Sequence, residues 1–160
     1  TEARGLRYFA SAVGEVNVVE KMKQENAVIG GEGNGGVIYP ELHYGRDALV
    51  GIALFLSLLA KSGKTCSALR ASYPNYEISK NKMELTPEMN VDLILEKMAK
   101  KYADCEVLTT DGVKIMFKDE WVHLRKSNTE PIIRIYSESR DMAAANALAT
   151  KTMNEIKQLL

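Results

Sequence analysis

The run from Ala48 to Ala60 constrains this chain most, because no other stretch is so apolar for so long. It is shorter than the roughly 20 residues that a bilayer span requires, and Gly51 and Ser57 interrupt it, so it predicts a core helix. Asp47 before it and Ser62 and Gly63 after it are residue types that open and close helices. A chain of 160 residues with 46% apolar content can surround such a helix with a core, as one domain or two small ones. With 21 Lys plus Arg against 21 Asp plus Glu, no charge excess draws it to nucleic acid or to an anionic membrane. Any electrostatic site must be local. Two widely separated cysteines, Cys66 and Cys105, and no secretory signal point to free thiols in a reducing, cytoplasmic setting.

Secondary-structure signals fall into two groups. In the first, Leu6 to Val13 is strand-like, and Asn17 offers an N-cap for a short helix with Glu20 at its third position. Ala27 to Ile29 then enters a glycine-dense turn, Gly30 to Gly36, which leaves through Val37, Ile38 and Tyr39 as a second strand. After the apolar helix the periodicity lapses from Lys64 to Asn75 and Pro74 appears, so the boundary is placed there. The second group reads as a strand at Glu77 to Leu85 and a helix at Asn90 to Tyr102, with Val91, Ile94, Leu95, Met98 and Tyr102 on one face. A hairpin follows, signalled by Asp111 and Gly112 as a type I′ turn. Strands at Trp121 to Arg125 and Ile132 to Tyr136 come next, then a helix after Ser139 striped by Ala145, Leu148, Ala149, Thr152, Ile156 and Leu159. The expected organisation is an α/β unit over 1–66, a mixed sheet with helices, and a linker over 67–75. An α+β unit over 76–160 completes it, an antiparallel sheet with helices on one face.

Two loops carry candidate chemistry. Gly31, Gly33 and Gly36 match the glycine spacing of a dinucleotide-binding turn, but that mechanism needs a helix to begin at the loop, and Val37 to Pro40 continues extended. Gly63, Lys64 and Thr65 lack the earlier glycine of a P-loop, Leu58 standing in its place. What remains is a loop whose strong hydrogen-bonding side chains are Glu32 and Asn34, separated by glycines that admit a ligand close to the backbone. A carboxylate accepts from two neighbouring hydroxyls, and an amide gives and accepts, which suits a sugar ring. A surface turn with a solvated Glu is the other reading of the same residues.

The second loop runs from Arg125 to Pro131 and offers a guanidinium, an ammonium on Lys126, the hydroxyls of Ser127 and Thr129, the amide of Asn128 and several backbone donors. Arg clamps two oxygens of a phosphate, hydroxyls donate to a third, and successive N–H groups form an anion nest. An ordinary polar hairpin is the alternative. His123 shares a strand face with Arg125 and reads first as a structural His, and Trp121 as sheet-face packing. With His43 and His123 the only histidines and no clustered Cys, His or carboxylates at ligand spacing, no metal site is expected.

Taken together, the segments GGEGNGG and RKSNTEPIIRI resemble the α-D-phosphohexomutases, the family of phosphoglucomutase, phosphomannomutase and phosphoglucosamine mutase, over essentially the whole chain. The first is similar to the sugar-binding loop of the family's third domain and the second to the phosphate-binding loop of its fourth. The resemblance implies that Glu32 and Asn34 hold ring hydroxyls and that Arg125, Ser127, Asn128 and Thr129 bind the phosphate that is not reacting. This chain departs from the pattern at Gly36, where many bacterial members have His, and at Glu15, where some do. The family interconverts hexose 1-phosphates and 6-phosphates through a phosphoserine, a hexose 1,6-bisphosphate intermediate and Mg²⁺. Its Ser-His loop and Asp-rich metal loop have no counterpart in these residues, so the resemblance implies no catalytic residue here.

The chain is accordingly expected to be the C-terminal part of a longer mutase, lacking N-terminal domains, inactive alone, and prone to self-association through an uncovered sheet edge. A phosphoglucomutase/phosphomannomutase type is expected first and phosphoglucosamine mutase second. A noncatalytic phosphosugar-binding module and a purely structural domain are the readings of other classes. The latter gives no reason for Arg125 through Thr129 to occur together.

Overall fold

In the computed structural model, which describes residues 1, 4–86, 89–127 and 129–159, the chain divides into two units, Thr1–Tyr73 and Pro74–Leu160. The first unit begins with an irregular segment rather than the strand expected at Leu6 to Val13. A strand needs a ladder partner for its N–H and C=O groups, and among the described residues this stretch has none. Helix α1 spans Glu15–Glu25, with Gly14 at φ 120° as its N-cap and Asn26 closing it in the left-handed conformation. Asn17, expected as the cap, lies inside the first turn, where its amide donates to the Val13 carbonyl at 2.9 Å. The chain enters this helix through a positive φ, which a residue without a Cβ adopts freely.

The glycine-dense segment is a hairpin. Strand β1, Gly30–Gly31, pairs antiparallel with β2, Val37–Tyr39, setting Gly30 opposite Ile38 and Gly31 opposite Val37. A third strand that the sequence reading missed, β3 at His43–Arg46, adds to β2 with a register shift between Ile38 and Tyr39. It is polar and mostly exposed, so no alternation marks it. Met22 from α1 and Ile38 from β2 are buried. A Cβ on Gly30 would overlap the Met22 sulfur, so the bare glycine lets α1 lie against the hairpin.

Helix α2, Ala48–Ser62, opens at Asp47, whose carboxylate accepts from the Val50 N–H at 3.0 Å, and closes at Gly63 with φ 63°. Its expected place in a core is corrected by the structure: none of its residues is buried, and Leu49 is 78% exposed. A helix apolar on every side needs neighbours on every side, and among the described residues α2 packs principally against β2. Helix α3, Cys66–Ala71, occupies the first part of the stretch 67–75 that was expected to be a linker. Thr65 caps α3 by accepting from the Ala68 N–H at 3.2 Å, and Leu69 is buried. Six residues make too few turns for a period to show.

The second unit is a five-stranded antiparallel sheet with two helices. Its elements are β4 (Glu77–Glu84), α4 (Val91–Lys101), β5 (Glu106–Leu108), β6 (Val113–Met116), β7 (Trp121–Lys126), β8 (Ile132–Ser139) and α5 (Met142–Gln158). The strand order is β4-β8-β7-β6-β5. Side chains alternate faces along each strand. Leu124 lies opposite Ile135 and Val113, and Val122 opposite Ser137 and Ile115, so these share the inward face. Against it pack Ile94 and Met98 of α4 and Leu148 and Ile156 of α5. Each such fully buried side chain contributes about 1.5–3 kcal/mol. Asn90 and Asp141 cap the two helices, and the stripe Ala145, Leu148, Ala149, Thr152 and Ile156 is buried as its spacing predicts. The Ser137 and Thr152 hydroxyls, buried among these groups, donate to the Ala145 and Leu148 carbonyls at 2.8 and 2.9 Å.

The opposite face of the sheet carries charged residues. Arg125 and Arg134 are register partners on β7 and β8, and Lys82 of β4 is the register partner of Arg134. Among the described residues no helix is long and apolar enough to cross a membrane.

Candidate functional site

The glycine loop in the first unit is closed by its own backbone. Glu32 N–H donates to the Gly36 carbonyl and Gly35 N–H to the Glu32 carbonyl, both at 3.1 Å. Gly35 turns the chain at φ 96°, and a Cβ on Gly31 would overlap the Gly36 carbonyl oxygen. Asn34 was expected to give and accept freely. Its Oδ1 accepts from Gly36 N–H at 3.1 Å within the turn, which leaves the Nδ2 donors and one oxygen lone pair for a ligand.

Glu32 is the more enclosed of the two, its side chain 17% exposed, with the Arg46 guanidinium 3.8 Å away at Nη1. Arg46 is itself clasped by Glu15. Its backbone N–H donates to one Glu15 oxygen at 3.1 Å and its Nε to the other at 2.8 Å. Beside them, Gly45 N–H donates to His43 Nδ1 at 3.0 Å, which leaves the ring proton on Nε2 to meet Asp47 at 3.1 Å. The Val50 N–H, and after it His43, hold the Asp47 carboxyl below its usual range. This unit therefore presents a charge-compensated carboxylate with oxygens left to accept, next to an amide donor.

The Arg125–Pro131 loop in the second unit joins β7 to β8. Ser127 N–H donates to the Ile132 carbonyl at 3.1 Å, and Ile132 N–H to the Glu130 carbonyl at 2.8 Å, while Leu85 N–H of the neighbouring strand end donates to the Pro131 carbonyl at 2.9 Å. Thr129 N–H approaches Ser127 Oγ at 3.5 Å. Asn128, expected to contribute here, lies outside the described residues. Arg125 pairs through Nη1 with Asp111 at 3.1 Å, and Arg134 with Glu130 at 3.4 Å. Lys126 alternates to the other face and pairs with Asp92 at the start of α4, so it does not join Arg125. The structure thus brings Arg125, Ser127 and Thr129 to one strand end and adds Arg134, which sequence reading passed over. Arg134 stands opposite Arg125 through the register of β8 with β7, which residue order alone does not give.

Asp111 is the other residue whose place tertiary structure decides. It was read as half of a two-residue type I′ turn, which would need positive φ at both Asp111 and Gly112. Only Gly112 has it, at 77°, and the last ladder pair is Leu108 with Lys114, so the turn is wider. A Cβ on Gly112 would overlap the Leu124 carbonyl oxygen and come 3.1 Å from Arg125 Cα. The turn therefore presses onto β7, which lets the Asp111 carboxylate reach Arg125 and its carbonyl accept from His123 Nε2.

His123 is partly buried on β7, with its Nε2 facing the Asp111 carbonyl. Burial pushes its pKa below the ordinary value, against the opposing pull of the Asp111 carbonyl. In the unfolded chain it titrates near about 6.5. Because the folded form resists protonation, the stability it contributes is present above that pH. It is lost as pH falls below that point toward the depressed folded value. The urea midpoint followed by Trp121 fluorescence is expected to drop over this acid range, and to drop less in His123→Gln. An equal acid response in both would count against it. Trp121, the single tryptophan, donates from Nε1 to Glu138 at 2.9 Å with Lys114 4.1 Å over its ring, which is sheet-face packing.

Among the described residues no group of three or more His, Cys, Asp or Glu converges as a metal site.

Comparison with known proteins bears on both loops. Residues 1–76 match the family model for phosphoglucomutase/phosphomannomutase alpha/beta/alpha domain III, and residues 82–155 that for the phosphoglucomutase/phosphomannomutase C-terminal domain. A phosphoglucosamine/phosphogalactosamine mutase of Sulfurisphaera tokodaii is 41% identical over 92% of this chain and 32% of its own length. A phosphoglucomutase/phosphomannomutase of Thermococcus kodakarensis is 40% identical over 85% of this chain and 30% of its own. The chain thus spans about a third of the length of these relatives. A crystal structure of a phosphoglucomutase/phosphomannomutase family protein from Burkholderia thailandensis superposes with a TM-score of 0.69 at 26% identity, covering 91% of this chain and 31% of that one. An N-acetylphosphoglucosamine mutase of Aspergillus fumigatus shares the fold at a TM-score of 0.59 and 13% identity, over 96% of this chain and 37% of that one.

Proposed function

Because this chain belongs to the phosphoglucomutase/phosphomannomutase family, we propose that it is the C-terminal portion of a mutase that interconverts hexose 1-phosphates and 6-phosphates. Its two loops hold the substrate, each by its own chemistry. Glu32 accepts from ring hydroxyls and Asn34 donates through Nδ2. Arg125, Ser127, Asn128 and Thr129 grip the phosphate that is not reacting, with Arg134 beside them. The observation that carries this is the end of β7 and β8, where Arg125 and Arg134 are register partners and the chain continues from Arg125 into the loop that holds Ser127 and Thr129. Each guanidinium is held by a carboxylate, Asp111 at 3.1 Å and Glu130 at 3.4 Å, and keeps further N–H donors with which to bind a phosphate.

A fixed grip of this kind suits the reaction. A phosphoserine elsewhere in the enzyme donates its phosphoryl group, the sugar turns over as a 1,6-bisphosphate, and the other phosphate returns to the serine. Either end of the sugar must then be held while the other reacts, so recognition has to be strong for phosphate and tolerant of ring orientation. The phosphoryl transfer and its magnesium belong to residues other than these.

A glucose or mannose phosphate is the proposed substrate. A glucosamine phosphate is the second reading, favoured by the 41% identity to the phosphoglucosamine/phosphogalactosamine mutase. Amide NMR of the chain titrated with glucose 6-phosphate tests the assignment. Shifts are expected in both 30–36 and 125–131, with inorganic phosphate moving the second set alone. Glu32→Gln is expected to lose the first set and keep the second. Glucose 6-phosphate shifts confined to other residues would refute the proposal.

A further inference from the structure

We infer that Arg46 is the positioning residue of the sugar loop, facing Glu32 with a compensating charge and keeping it aimed while leaving both its oxygens open, and that Glu15 and Gly36 keep Arg46 in that place. The inference rests on the reading of Glu32 as the hydroxyl acceptor. It concerns what makes that acceptor available.

Glu32 is mostly enclosed, and an enclosed carboxylate is costly unless a cation compensates it. Arg46 is the cation that reaches it among the described residues, yet at 3.8 Å from Nη1 the contact is an ion pair too long to be a hydrogen bond. That distance has a chemical consequence. A guanidinium in direct bidentate contact would occupy the acceptor sites that sugar hydroxyls need. At this separation Arg46 supplies charge and takes no acceptor.

Two features keep it there. Glu15, the first residue of α1, receives both the backbone N–H and the Nε of Arg46, at 3.1 and 2.8 Å, so stem and main chain are fixed by one carboxylate. Gly36 leaves the room. A Cβ there would stand 2.8 Å from Arg46 Cδ and 3.3 Å from its Cγ, so the arginine stem passes where any side chain would lie. Glu15 and Gly36 are far apart in sequence and come from different elements, yet both act on the same side chain.

Removing the clasp frees Arg46 to close on Glu32, and filling the space pushes it aside. Both should therefore weaken the sugar contact while Glu32 is untouched. The test is steady-state kinetics of the complete mutase with glucose 1-phosphate, for Glu32→Gln, Glu15→Ala, Gly36→Ala, Arg46→Ala and the double variant E15A/R46A. Glu15→Ala and Gly36→Ala are each expected to raise KM about tenfold with kcat changed less than about twofold, the scale of one hydrogen bond to a charged acceptor. The double variant should match Arg46→Ala alone, because Glu15 acts through Arg46. If Glu32→Gln raises KM while Glu15→Ala and Gly36→Ala leave it unchanged, the inference is wrong and the loop's role stands, whatever those variants do to the melting temperature. If Glu32→Gln itself leaves KM unchanged, the reading of the loop fails and the inference goes with it. Should Glu15→Ala not fold, Gly36→Ala decides the matter, since Gly36 has no positive φ and a Cβ there meets the side chains of Arg46 and Asn34 rather than backbone.

Discussion

Arg125→Ala is expected to weaken the binding of inorganic phosphate to this chain by about 100-fold, the loss of a paired set of charge-assisted hydrogen bonds. Isothermal titration at low and high salt measures it. Arg125 is suited to the role by how it is held. One guanidinium nitrogen meets Asp111 at 3.1 Å, which fixes the plane of the group and leaves further N–H donors for the ligand. Arg125→Lys keeps the charge and loses the fork, so it should recover only a small part of the affinity. Both side chains of the Arg125–Asp111 pair are partly exposed, at 27% and 28%, so water can rehydrate Asp111 when its partner is removed. The melting temperature should accordingly change little, and a fall in affinity that merely tracked unfolding would overturn the assignment.

Gly112→Ala is expected to cost about 3 kcal/mol or more in the stability of the second unit, and to lose phosphate binding with it. Two separate penalties combine at this residue. Its φ of 77° is unfavourable for any residue with a Cβ, and the added carbon would run into the Leu124 carbonyl oxygen, which is backbone and cannot turn aside. Either the turn lifts from β7 or β7 bends, and in both cases Asp111 moves away from Arg125. Urea unfolding monitored by Trp121 fluorescence gives the stability, and phosphate titration below the transition gives the site. A variant that unfolds at the same urea concentration as the parent would show that the turn is not pressed onto the strand. Gly33→Ala makes the contrasting control, since a Cβ there meets nothing and Gly33 has no positive φ.

The second unit was largely legible because its elements bury one face each. Val91, Ile94 and Met98 recur at helical spacing, and Ala145 to Ile156 do the same, so the sequence carries the pattern that burial enforces. Strands β7 and β8 alternate for the same reason. The first unit was less legible. Strand β3 is polar and exposed, α3 has six residues, and the apolar stretch before Gly14 joins no sheet among the described residues, so composition and conformation part company. Apolar content marked α2 correctly as a helix through Asp47 and Gly63, but wrongly as a core element, because apolarity records what a segment can bury against and not what is beside it.

Local chemistry determined what could be read from residue order alone. Caps at Asp47, Asn90 and Asp141, the left-handed closure at Gly63, and the grouping of Arg125, Ser127 and Thr129 within one loop all involve neighbours a few positions apart, where covalent connection sets the geometry. Tertiary structure alone decided which distant groups meet. Glu15 clasps Arg46 across 31 residues, Asp111 reaches Arg125 across 14, and Arg134 stands beside Arg125 only through strand register. The physical reason is that an ion pair or a cross-strand pair depends on where backbones are brought by the burial of other side chains, and the charged residues themselves carry no periodic trace of that meeting.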